Sequence, residues 1–156
     1  MTEEHRYLQQ AIALARANIA QGGRPFGALV ARDGQVIATG VNDIVATNDP
    51  TAHAEMTALR AASRALASPD LSGCAVYASG HPCPMCMAAM RLAGVRRVAY
   101  AYSNEDGAPF GLSTAAVYAD LARPFAEQSM AIDHLPVRAP GQPGLYAQWA
   151  QARQNP

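Results

Sequence analysis

Three fragments read in succession set the architecture of this chain: His53-Ala54-Glu55, then Cys74-Ala75-Val76-Tyr77-Ala78-Ser79, then Pro82-Cys83-Pro84-Met85-Cys86. The segment from about 52 to 67 is rich in Ala and Leu and reads as a helix, with Asn48-Asp49-Pro50-Thr51 as its capping start. Pro69 and Gly73 bracket a turn, residues 74–79 form an apolar strand, and Pro84 to Ala93 is a second helix stopped by Gly94. Helix, strand and helix in this order place the ends of both helices near the end of one sheet. His53, Cys83 and Cys86 then supply an imidazole and two thiols, and Glu55 supplies a spare carboxylate.

On the N-terminal side, residues 3–20 carry Tyr7, Leu8, Ala11, Ile12, Leu14, Ala15 and Ile19 at helical spacing, ended by Gln21-Gly22-Gly23. Phe26 to Ala31 and Val36 to Val41 are strands joined by the hairpin signal Asp33-Gly34. Asn42 to Pro50 is a polar loop, and Arg97 to Ala101 a further strand. Ser103 to Gly111 is a loop, followed by a helix at about 112–121 and a weak strand at about 129–135. Pro136, Pro140 and Pro143 mark a linker, and 144–153 is a last helix carrying Leu145, Tyr146 and Trp149. Helices alternating with short apolar strands make one α/β domain over residues 1–156 with helices on both sheet faces.

Composition narrows the function. The chain has 156 residues, half of them hydrophobic, which suits a folded domain with a real core. Twelve basic residues, all Arg, balance twelve acidic ones. Zero net charge argues against nucleic acid or an anionic membrane as a partner; Arg91, Arg96 and Arg97 read as a solvated edge. No apolar run reaches the roughly 18 residues of a membrane span. The acidic N-terminus lacks a signal-peptide pattern, so a cytoplasmic protein is expected. In that compartment, Cys-x-x-Cys points to metal or redox chemistry rather than a structural disulfide.

Zinc favours His nitrogen and Cys sulfur, and a catalytic zinc takes three protein ligands and keeps a position for water. His53, Cys83 and Cys86 provide three; Cys74, inside a strand, reads as core. Thiols at a helix start are favoured as thiolates by the helix dipole. A metal brings the pKa of bound water toward about 7. Glu55, two residues from His53, can take that water's proton and pass it to a departing nitrogen, an acid/base role worth about 10²–10⁴ in rate. The combination His-x-Glu with Pro-Cys-x-x-Cys is the zinc deaminase signature.

At these residues the chain resembles the cytidine deaminase superfamily, and more closely its guanine deaminase and nucleoside deaminase branch. The similarity extends over about residues 24–102, through Arg24-Pro25-Phe26-Gly27-Ala28, Asn42, and Asn48-Asp49-Pro50-Thr51-Ala52. It implies a three-layer α/β/α sandwich with a five-stranded mixed sheet, Zn²⁺ on His53, Cys83 and Cys86, and Glu55 as the proton shuttle. Phe26 would pack on the base, Asn42 would bond the ring edge, and the backbone around Ala54 would contact substrate; His81 and Trp149 are further candidate substrate contacts. The implied reaction is hydrolytic deamination of a heterocyclic base, guanine first, with another purine, a pterin, a pyrimidine or a triazine as alternatives. A tRNA adenosine deaminase and a non-catalytic zinc-stabilised module are the other readings. The resemblance further implies a homodimer in which residues 136–156 form a C-terminal lid, held in cis or exchanged between partners.

Three departures from these relatives stand out. His81 occupies a position where they commonly have Glu. An acidic stretch is missing near Leu112-Ser113-Thr114, for which the nearby carboxylates Glu105 and Asp106 are candidate substitutes. The tail ends Gln154-Asn155-Pro156.

Overall fold

The computed structural model describes residues 1–154; Asn155 and Pro156 lie outside the described residues. The chain divides into two compact units, Met1–Ala122 and Arg123–Pro156.

The first unit holds the sheet and both hydrophobic clusters. Helix α1 (Glu3–Ala20) is capped by the Thr2 hydroxyl, which accepts the His5 N–H. Strands β1 (Gly27–Arg32) and β2 (Gln35–Val41) form the expected hairpin. Asp33 and Gly34 have φ of 50° and 75°, the paired positive values of a type I′ turn. Val30 pairs with Ala38 but Ala31 with Val36, so Ile37 is bulged out. The loop that follows is not all loop: α2 (Ile44–Thr47) is a single turn ended by Asn48 at φ 54°.

Helix α3 (Ala54–Leu66) starts later than the sequence suggests. Its N-cap is His53, and Pro50 stays in the preceding turn. Strand β3 (Ala75–Gly80), helix α4 (Pro84–Leu92) and strand β4 (Arg97–Tyr102) complete the core unit. A one-turn α5 (Asn104–Gly107) breaks the loop after β4, and α6 spans Ala115–Leu121.

The sheet order is β2-β1-β3-β4, with β1 antiparallel to both neighbours and β3 parallel to β4. This is a mixed sheet, as expected, but it has four strands and not five. The missing strand is the one anticipated at 129–135. That stretch breaks its apolar pattern with Asp133 and His134 and runs into Pro136, which has no N–H to give a ladder; the structure forms no strand there.

Small residues let the helices approach the sheet closely. A Cβ on Gly27 would strike the Ala11 carbonyl and, at 2.8 Å, the Ala15 nitrogen of α1. A Cβ on Gly40 would meet the Ala54 carbonyl and the Ala58 nitrogen of α3, each at 2.5 Å. Gly40 thus seats the α3 end that carries His53 and Glu55. One apolar cluster gathers Ala58, Leu59, Leu71, Val76 and Met90 beneath α3 and α4. The other packs Tyr7 of α1 on Leu29, Ala31 and Tyr77. These two layers around the sheet give the α/β/α arrangement.

The second unit contains α7 (Leu145–Gln154), preceded by a turn at Phe125–Glu127 and an irregular stretch. Its large apolar side chains are exposed: Leu145 by 75%, Tyr146 by 86% and Trp149 by 60%. No described helix is long and apolar enough to cross a membrane.

Candidate active site

His53 and Cys83 occupy matching positions, each the N-cap of a helix with extended backbone, φ −71° and ψ 157° or 168°. Neither side chain caps its own helix, which leaves the ring and the sulfur free to face each other. Pro84 sits at the first position of α4, where a missing N–H costs nothing. Cys86 follows within the first turn and is fully buried.

The three ligand atoms form a tight triangle. His53 Nδ1 lies 3.3 Å from Cys83 Sγ and 3.7 Å from Cys86 Sγ, and the sulfurs are 3.5 Å apart. A tetrahedral zinc with Zn–S of about 2.3 Å and Zn–N of about 2.05 Å requires N···S edges near ~3.6 Å and an S···S edge near ~3.8 Å. The observed edges fall within a few tenths of an ångström of these, so the donor set fits zinc. Cys74 is buried in the core and is no part of the triangle, as the sequence suggests.

Glu55 is buried, with Oε2 3.2 Å from Cys86 Sγ. Burial raises its pKa above the ordinary carboxylate value, so the group holds a proton more readily than a solvated Glu. Hydrogen bonds from Cys86 and His53, against the opposing effect of burial, draw the Cys83 thiol down to about 4. The Cys86 thiol is pushed up, first by its hydrogen bond with Cys83 and then by burial. His53 is raised, chiefly by its bond to Cys83.

The other sequence candidates divide into three groups. Ala54 is buried between His53 and Glu55. Phe26 and His81 line a cavity of about 400 Å³ together with Gly80, Tyr102 and Asn104. Neither Glu55 nor the metal-ligand triangle lines that cavity. Phe26 packs so closely on Gly80 that a Cβ there would meet its ring at 3.1 Å. Asn42 is buried; its N–H donates to the Phe26 carbonyl at 3.1 Å and its Oδ1 accepts the Ile44 N–H at 3.2 Å. Its Nδ2 has no hydrogen bond among the described residues. Trp149 stands in the second unit, with the Arg153 guanidinium 4.8 Å above its ring. Of the two loop carboxylates, Asp106 is spent on a capping box with Ser103, and Glu105 is exposed.

Sequence reading misses Tyr118 and Asn104, and names Thr114 only within the stretch where relatives carry acidic residues. The Tyr118 hydroxyl donates to the Pro82 carbonyl, immediately before Cys83, and its ring meets His81 edge-on at 5.3 Å and 88°. Burial, followed by the nearby thiols of Cys83 and Cys86, raises the Tyr118 pKa. Asn104 Oδ1 accepts the Thr114 N–H at 3.2 Å, so its Nδ2 faces His81 Nδ1 at 3.3 Å. His81 Nδ1 also lies 3.1 Å from the Pro82 carbonyl oxygen. A hint for Tyr118 is its four-residue spacing from Thr114, which puts the two on one helix face.

Comparison with known proteins comes to the same place. Residues 1–102 match the family described as the cytidine and deoxycytidylate deaminase zinc-binding region. The chain is 39% identical over 125 residues to guanine deaminase of Bacillus subtilis, covering 80% of each chain. An X-ray structure of guanine deaminase from Bacillus subtilis superposes with a TM-score of 0.84 at 34% identity, over 97% of this chain and 93% of that one. A crystal structure of NE0047 in complex with 2,6-diaminopurine gives 0.68 at 35% identity, over 72% of this chain and 63% of that one. The chain is also 36% identical over 107 residues to a tRNA-specific adenosine deaminase of Agrobacterium fabrum, covering 69% and 70%.

Proposed function

The chain belongs to the cytidine and deoxycytidylate deaminase family, and on that premise we propose that it hydrolytically deaminates a small amino-substituted heterocycle, with guanine as first substrate. The observation that carries this is the 3.2 Å approach of Glu55 to a thiol of the His53–Cys83–Cys86 triangle. A structural metal site has no use for a buried free carboxylate beside it, which sets aside a non-catalytic module. Guanine is supported by the named activity of the Bacillus subtilis relative and by the purine in the NE0047 complex.

His53, Cys83 and Cys86 are the residues that would hold zinc. When bound, zinc supplies a Lewis acid that brings water to the nucleophilic state near neutral pH. Glu55 takes one proton from that water at a carboxylate oxygen. It passes that proton to the ring nitrogen, then takes the second proton from the hydroxyl now on the ring carbon and hands it to the amino group as the C–N bond breaks and the C=O bond forms. Water and the amine thus become the ring carbonyl and ammonia. Burial suits Glu55 to this exchange, because a raised pKa brings the carboxyl closer to the working pH. Phe26 offers the flat apolar wall, and the unspent Asn42 Nδ2 a donor for the ring edge. Ala54 contributes backbone beside the metal, with His81 on the cavity side.

Trp149 belongs to the lid reading of residues 136–156. The exposure of Leu145, Tyr146 and Trp149 supports a homodimer in which this segment is covered by, or covers, a second copy. Sedimentation that gives a monomer mass at micromolar concentration would remove that reading. Reduced thiols as ligands suit the cytoplasm.

The experiment is ammonia release by the zinc-loaded chain from guanine, 2,6-diaminopurine, adenine, cytosine, a pterin and melamine. No release from any of them sinks the small-base reading. Similarity to tRNA-specific adenosine deaminases favours a second reading. Steeply salt-dependent binding to an anticodon stem-loop would revive it against the neutral net charge.

A further inference from the structure

We propose that Asn18 of α1 is a positioning residue for substrate binding: its side-chain amide holds the Phe26 segment against Asn42, and Gly23 lacks a side chain so that this amide keeps its place. The inference rests on the deaminase reading and deepens it, since Phe26 and Asn42 are the apolar wall and the edge donor of that reading.

Helix α1 turns Tyr7, Ala11, Ala15 and Asn18 inward. The spacing asks for a fourth apolar residue at 18, and Asn is a poorer helix former than Ala. Asn18 is nonetheless only 8% exposed. A buried amide is costly unless its bonds are made. Here they are made outside the helix: Nδ2 donates to the Arg24 carbonyl at 2.8 Å and to the Asn42 carbonyl at 2.9 Å. An amide nitrogen carries two hydrogens, one for each carbonyl.

Those carbonyls belong to the two segments that carry the candidate contacts. The Arg24 carbonyl also accepts the Phe26 N–H at 2.9 Å, and the Phe26 carbonyl accepts the Asn42 N–H at 3.1 Å. Asn18, Arg24, Phe26 and Asn42 thus close a ring of hydrogen bonds. On the far side of Phe26, the Gly27 N–H donates to the Ser79 hydroxyl of β3 at 3.0 Å. Opening the ring at Asn18 lets the phenyl wall and the Asn42 amide move relative to each other. The metal-ligand triangle and Glu55 hang from α3 and α4 instead, so they keep their geometry.

Gly23 is an independent observation. A Cβ there would lie 2.5 Å from Asn18 Nδ2 and 2.6 Å from its Cγ and Oδ1. Gly23 is not among the glycines with positive φ, so its backbone does not demand glycine; the room taken by the Asn18 amide does.

The test compares Asn18→Ala and Gly23→Ala with wild type in the zinc-loaded full chain. Asn18→Ala should raise KM about tenfold for the best base on the panel, the worth of one misplaced neutral hydrogen bond. Its kcat and zinc stoichiometry should stay at the wild-type values, the signature of lost binding alone. Gly23→Ala displaces the amide without removing it and should raise KM likewise. In an Asn18→Ala background it should add nothing, because the atoms it strikes are gone. An amide that serves only the fold would lower Tm and leave KM where it was. That result, or a fall in kcat in place of the rise in KM, overturns the inference with the deaminase reading intact. Should Asn18→Ala not fold, Gly23→Ala decides alone, and a wild-type KM there removes the positioning role. A Gly23→Ala effect undiminished in Asn18→Ala removes the link between the two residues. Wild type that releases no ammonia from any base takes down the deaminase reading and this inference with it.

Discussion

His53 Nδ1 and Cys83 Sγ stand 3.3 Å apart although 30 residues of chain separate them. Each is the N-cap of its helix and neither caps it, so two helix starts are given over to one point in space. The core beneath α3 and α4 holds them in register. That geometry carries the following expectations.

Zinc should bind the folded chain and stabilise it. At a hundredfold excess over Kd the gain is about 2.7 kcal/mol, read as a rise in Tm over the chelator-treated protein. Cys83→Ser should abolish the rise. Cys74→Ala should lower the baseline Tm yet leave the zinc response intact, since Cys74 is core and outside the triangle. Metal analysis showing zinc lost with Cys74 would contradict the ligand set.

Glu55→Gln keeps the side-chain volume and discards the proton exchange. Turnover should fall by about 10²–10⁴ with zinc retained. A variant with near wild-type turnover would mean that another group moves the proton.

Legible in the sequence is what chemistry or local sterics leaves no choice about. Zinc demands His and Cys, so His53, Cys83 and Cys86 stand out by residue type and spacing alone. Asp33-Gly34 dictates a hairpin because few residue pairs accept two positive φ values. The fifth strand is misread because strand formation at 129–135 depends on a ladder partner that no local pattern specifies. Tyr118 is invisible for a related reason: an aromatic at helical spacing looks like core, and its true partner is a carbonyl 36 residues earlier.

Gly40 should tolerate no side chain. Gly40→Ala drives a Cβ against the α3 backbone at Ala54 and Ala58, an overpacking that costs about 1–3 kcal/mol. Because the push falls at the α3 start, zinc affinity should drop along with Tm. A substitution that lowers Tm with zinc affinity unchanged would show that α3 shifts as a rigid body.

Asp70 gives a pH signature. Its Oδ1 accepts the Ser72 N–H at 2.9 Å and the Ser72 hydroxyl at 2.5 Å, which hold its pKa below the ordinary 3.8. A lowered folded pKa adds stability above the unfolded value, lost as pH falls through the folded one. Asp70→Asn should therefore lower Tm slightly at pH 6 and flatten its decline below about pH 4. Parallel melting curves for the two proteins over that acid limb would refute the linkage.

Among the described residues, strand β4 pairs with β3 and with no other strand. A row of peptide groups is therefore left without a ladder partner, on a strand whose Tyr100 and Tyr102 are also partly bare. The chain has no net charge at pH 7 with which copies could repel one another. Colloidal behaviour should follow from these two facts. Light scattering ought to grow with concentration most steeply near neutrality and ease as the solution is moved to either side, so storage conditions for this protein are set by one strand's unfilled edge as much as by its catalytic centre.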